Sequence, residues 1–108
     1  MLARIRRALR VDGRLILDVF PPDHALAYTE GLSVERRMLD GFFSAADYFG
    51  LRARHRYAEH LLTLDRYLIL AEDRSFGIWN WDQCFSPESL AAEFSAAGFA
   101  MEAALEFA

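Results

Sequence analysis

The chain has 108 residues, 54% of them apolar, and a formal net charge of −4. That length suits one domain, residues 1–108, and not two. The acidic balance argues against nucleic-acid binding, which needs a basic face to neutralise phosphates. The lone cysteine, Cys84, excludes an intrachain disulfide and a thiolate zinc site.

The first ten residues lack the apolar core of a signal peptide, and no run is long enough to span a bilayer. The expectation is a cytoplasmic protein with no membrane partner. The basic residues other than histidine are all Arg, which together with the abundant Ala suggests a GC-rich bacterial genome.

Residues 2–9, "LARIRRAL", put Leu2, Ile5 and Leu9 on one helical face. "VDG" follows as a stop and turn, with Gly13 expected to take the positive φ. "RLILDVF", 14–20, has almost no polar alternation and predicts a strand buried on both faces, as in a parallel sheet. Pro21 and Pro22 end it. "HALAYTEGL" and "VERRMLDGFF" read as short helices broken by Gly31 and Gly41.

From Arg52 to Phe85 the period changes to that of antiparallel β. Arg52, Arg54 and Arg56 share one face of a first strand, with Ala53, His55 and Tyr57 on the other. His55, Glu59 and His60 are read on the same strand, with His60 opposite the other two. "TLDRYLILAE" is a second strand, "EDRS" a hairpin turn, and "FGIWNWDQCF" a third strand. "SPESLAAEFSAAGF" is the clearest helix. Ser86 is its N-cap, Pro87 its first residue, Leu90, Phe94 and Ala97 its buried stripe, and Gly98 its C-terminal cap. A strand over 100–107 is expected to follow.

The order is helix, buried strand, loop, antiparallel strands, helix ending in "AAGF", and strand. It resembles the C-terminal half of a class I S-adenosylmethionine-dependent methyltransferase. "LARIRRALRVDGRLILDVF" is similar to that family's helix, glycine turn and hydrophobic strand, although only Gly13 of the usual Pro-Gly-Gly turn is kept. "WNWDQCFSPESLAAEFSAAGF" is similar to its late aromatic strand, helix and "aGF".

The resemblance implies an α/β fold, α+β as truncated. It would be a partial Rossmann-like methyltransferase sheet with an antiparallel β insertion over 52–85 and a C-terminal helix. The family's glycine-rich D-x-G-x-G-x-G loop and the acidic residue that holds the ribose are absent. Gly13 and Gly50 are isolated and do not replace them. No cofactor-binding residue is therefore assigned, and the chain reads as truncated at both ends; the resemblance implies S-adenosylmethionine as the cofactor of the complete family domain, with none bound by this chain alone.

The candidate chemistry follows from placement. Asp18, Phe20 and His24 lie where ligands bind in open α/β sheets, at the C-terminal end of a strand. The competing use is that Asp18 caps a turn and Phe20 packs. His24, in the loop bordering that pocket, is the candidate catalytic residue. The strand histidines His55 and His60 are general-base candidates, since imidazole titrates near neutrality, against their use as solvated or hydrogen-bonded strand residues. Tyr57, Trp79 and Trp81 are aromatic candidates for enclosing a methyl acceptor, against the ordinary use of such rings in sheet packing. The Arg52, Arg54 and Arg56 row would hold an anionic acceptor or form a solvated edge. Cys84 has no identifiable base beside it, and no metal site is assigned.

The implied function is a fragment that supplies the pocket and lid for a small-molecule methyl acceptor and is inactive alone. The alternative is a non-catalytic domain that binds itself or a partner, forming a homo-oligomer such as a dimer through exposed strand edges.

Overall fold

The computed structural model describes residues 1–104. Its elements follow in the order α1 (Leu2–Ala8), α2 (Pro22–Leu26), β1 (Gly31–Arg36), β2 (Tyr48–Tyr57), β3 (Leu62–Ala71), β4 (Ser75–Gln83) and α3 (Pro87–Ala96). The architecture is mixed α/β, with a four-stranded antiparallel sheet of order β1-β2-β3-β4 and a C-terminal helix. Among the described residues no helix is long and apolar enough to cross a membrane.

The sheet is a meander whose register brings like residues into rows. Tyr48 pairs with Ala71 and Tyr57 with Leu62 across β2 and β3, and Leu64 pairs with Trp81 across β3 and β4. A short 3-10 turn, Ala58–His60, joins β2 to β3, and Leu61 adopts a left-handed conformation after it. Strand alternation then gives the sheet two chemically different faces.

One face carries Tyr48, Gly50, Arg52, Arg54, Thr63, Asp65, Tyr67, Ile69 and Phe76. It is covered by α2 and by the loop after β1. Met38 of that loop forms the core with Tyr48 and Ile69, and Phe43, Tyr67, Ala71 and Phe76 pack against it. The Tyr48 hydroxyl donates to the Met38 carbonyl. Gly50 is required here: a Cβ at this position would sit 2.7 Å from the Met38 Cβ.

The other face carries Leu32, Val34, Phe49, Leu51, Leu68, Leu70, Trp79 and Trp81, and it is largely open. In α3 the Ser86 and Ser89 side chains form a reciprocal capping box. Gly98 (φ +86°) lets the Phe99 N–H reach the Phe94 carbonyl at 2.8 Å.

Several expectations are corrected. Residues 14–20 are unpaired and unbent and form no ladder strand, and Ile16 is 95% exposed. A parallel strand has no hydrogen bonds of its own and exists only between neighbours. Among the described residues none flanks this segment, so the Rossmann-like sheet is not formed. The described part of the strand expected over 100–107, residues 100–104, is likewise unpaired; 105–107 lie outside the described residues.

"VERRMLDGFF" is not a helix. Leu32 and Val34 alternate with Ser33 and Glu35 in β1, and Arg37, Leu39, Asp40 and Gly41 take positive φ in the turns that follow. The turn after α1 uses Asp12 (φ 64°), not Gly13, as its left-handed residue, which aspartate tolerates. Glu59 and His60 leave the strand at the 3-10 turn and do not extend the face of His55.

Candidate functional site

The site begins where the unpaired segment ends. Pro21 and Pro22 stop any ladder and start α2, with Pro22 at the first turn where its missing N–H costs nothing. The four-residue spacing of His24 and Tyr28 brings their rings to one side of this turn. The Phe20 ring stacks on His24 with centroids 4.0 Å apart and planes 9° apart. His24 lies 5.7 Å from the Tyr28 ring. These residues therefore form a continuous aromatic path from the segment to the covered face of the sheet.

The path ends on an ion pair. The Tyr28 hydroxyl donates to Asp65 Oδ1. Arg52 Nε donates to the same oxygen at 2.9 Å. The Arg52 guanidinium also lies 5.5 Å from the Tyr67 ring centroid. The Asp65 side chain is only 8% exposed, so its charge requires these partners.

The environment changes the acidity of its neighbours. Burial, followed by the hydrogen bond to Asp65, pushes Tyr28 up to about 12. Burial likewise raises Tyr67, and the Asp65 hydrogen bond raises Arg52. Tyr28 thus stays a hydrogen-bond donor across the neutral range. Arg54 Nε and Thr63 Oγ1, on the same face, are buried without a hydrogen-bond partner.

Asp18 and Phe20 line a cleft of about 300 Å³ with Val19, Asp82 and Gln83. The Phe85 N–H donates to the Phe20 carbonyl at 2.9 Å and ties the segment to the residue after β4. A second, more apolar groove of about 560 Å³ runs between α1, residues 17–19 and α3, lined by Leu2, Leu17, Phe85, Leu90 and Phe94 among others.

The six candidate residues separate into two groups. Asp18, Phe20 and His24 lie together at the cleft and α2. Tyr57, Trp79 and Trp81 lie on the open face of the sheet. There Tyr57 and Trp81 have ring centroids 5.6 Å apart, and the Arg66 guanidinium lies 5.9 Å from the Trp79 ring. The register places these aromatics and His24 on opposite sides of one sheet, so the six do not line a single pocket.

The arginine row is not an edge, because β2 is an interior strand. Arg52 is consumed by Asp65, and Arg56 donates to the Leu26 carbonyl at 2.7 Å. Cys84 is buried, and burial raises its thiol, which keeps it in the unreactive form. Among the described residues, no three His, Cys, Asp or Glu side chains group so as to hold a metal ion.

Tyr28 and Asp65 were not singled out from sequence. The available signals were the His24–Tyr28 spacing and an aspartate sharing a strand face with Thr63, Tyr67 and Ile69. Comparison with protein-family models, with curated proteins and with solved structures gives no match.

Proposed function

We propose that this chain is the acceptor side of a class I S-adenosylmethionine-dependent methyltransferase acting on a small molecule. The observation that carries the reading is the segment Arg14–Phe20. It is hydrophobic and in no sheet ladder. Among the described residues its backbone is tied to the rest of the chain only at Phe20, whose carbonyl accepts from the Phe85 N–H, and its C-terminal end leads into the Phe20–His24–Tyr28 path. Sites in open α/β sheets lie at that end of a strand.

The residues present do not fit the methyl donor. A donor cradle needs glycines that let backbone approach a ligand. Gly13 is closed in by Arg10, whose carbonyl oxygen would lie 2.8 Å from an added Cβ, and Gly50 by Met38. No step through the donor is therefore assigned to this chain.

What remains is the acceptor's side of the chemistry. Phe20 offers an apolar wall, and His24, stacked on it, an imidazole that could accept a proton from the methyl acceptor. Tyr28 closes the path with its ring, which is fixed because its one hydroxyl proton is given to Asp65. In this reading the family's β insertion corresponds to the four-stranded sheet, whose covered face backs the pocket and limits water.

The test joins residues 1–108 to the cofactor-binding half of a characterised class I methyltransferase. Methyl transfer is then followed to a panel of small amines, phenols and carboxylic acids. The reading predicts transfer to at least one class, and loss of at least tenfold in rate on His24→Ala or Phe20→Ala. A folded chimera that binds the donor and methylates none of them refutes it.

A further inference from the structure

We infer that the open face of the sheet is the interface of a two-fold homodimer, in which two copies of this chain pack sheet on sheet. The inference is independent of the methyltransferase reading.

The face is continuous. Cross-strand rows run Val34–Leu51–Leu68–Gly77 and Leu32–Ala53–Arg66–Trp79, with Trp81 on the next row. Leu32, Val34, Phe49, Leu68, Leu70, Trp79 and Trp81, with Tyr57 beside Trp81, are each 42–70% exposed on this face. With full surfaces of roughly 150–250 Å² for such residues, they present about 900 Å² of apolar area. A standard stable interface takes about 800 Å² from each partner. Single exposed apolar residues are ordinary on a surface, but a patch of this size marks an interaction site.

Charge favours a second copy as the occupant. An isologous interface sets each surface patch against itself, so a face rich in one sign would repel its own copy. Here no acidic side chain projects from the four strands on this face. Of its two guanidinium groups, Arg36 is neutralised by Asp47 at 2.6 Å; Arg66 keeps its charge but is exposed and lies against Trp79, with a stem long enough to hold its head in water at the rim. Aligned packing at the usual sheet separation of about 10 Å would bury Trp79 and Trp81 of both copies.

The experiment uses the full chain. Sedimentation equilibrium between 1 and 100 μM reports mass, and intrinsic fluorescence is read on the same samples. Both tryptophans of the chain, Trp79 and Trp81, lie on this face, so their emission reports its burial. The expected result is a closed dimer whose emission shifts to the blue as mass doubles. Leu68→Glu, a change at an exposed position, is expected to weaken association by more than about 100-fold, since it would bury an unpaired charge.

Wild-type chain that stays monomeric at 100 μM overturns the inference, as does open-ended association. Mass doubling without an emission shift would assign the contact to strand edges instead. A Leu68→Glu variant that keeps its dimer also overturns it. If that variant fails to fold, the concentration dependence of wild-type emission still decides.

Discussion

Replacing Asp65 by Ala should cost about 2–3 kcal/mol of folding stability. The carboxylate accepts hydrogen bonds from the Tyr28 hydroxyl and from Arg52 Nε. Hydrogen bonds to a charged group contribute about 1.5–3 kcal/mol each. Two terms reduce the sum. Removing Asp65 also removes the cost of burying its charge, and Arg52, with 27% of its side chain exposed, can turn partly to water. Asp65→Asn keeps an acceptor for Tyr28 and should cost about 1–2 kcal/mol, and Tyr28→Phe about 1 kcal/mol. Arg52→Ala leaves a buried carboxylate with Tyr28 alone and should cost about 2–3 kcal/mol.

The assay is urea unfolding followed by circular dichroism, with the Arg52 and Asp65 changes combined in a double-mutant cycle. The coupling should be about 1–2 kcal/mol. In a thermal melt, each kcal/mol corresponds to about 4–8 °C for a domain near this size. A coupling near zero, or an Asp65→Ala variant within about 0.5 kcal/mol of wild type, would show that the ion pair does not hold the sheet to α2.

Three further outcomes follow from particular residues. Because the folded pKa of Tyr28 is raised from 10.0 to about 12, its contribution is full below pH 10 and is lost as pH rises through 12. Allowing for its partial exposure, about 1–2 kcal/mol should disappear in that window in wild type and not in Tyr28→Phe, read by urea midpoints at pH 9 and pH 12. Gly50→Ala should destabilise by about 1–3 kcal/mol, because the new methyl meets the Met38 side chain in the core; a stable variant would mean that the loop after β1 is not packed as described. Calorimetric titration of S-adenosylmethionine into the 108-residue chain should give no saturable heat, whereas micromolar binding would require a donor site built without a glycine-rich loop.

How much was legible differs by element. Helix α3 was readable in detail, since Ser86, Pro87, Ser89 and Gly98 act through local backbone geometry that a sequence carries. The β2–β3–β4 meander was readable because alternation and the "EDRS" turn are also local. β1 was hidden: its "GLSVER" alternation is short and merges with charged residues that suit a helix equally well. The segment 14–20 was read correctly as hydrophobic and incorrectly as paired. Composition reports that a strand seeks neighbours, and only the fold reports whether they are there.

The candidate residues were legible in part. Phe20 and His24 were singled out from their place after a strand-like run, and the structure stacks their rings. Tyr57, Trp79 and Trp81 share a chemical type with them, but strand parity alone did not reveal which side of the sheet α2 would cover. Asp65 was missed because its significance depends on Arg52 and Tyr28, which are 13 and 37 residues away in sequence.

The most direct test of the account is hydrogen exchange at the amides of Leu15 to Phe20, measured in the chain alone and in the chimera with a cofactor-binding half. The account predicts near-unprotected exchange in the chain alone, against protection in β3, and strong protection once flanking strands are supplied. Protection already present in the chain alone, or exchange that stays fast in a folded chimera, would contradict the assignment of this segment as a sheet strand without its neighbours.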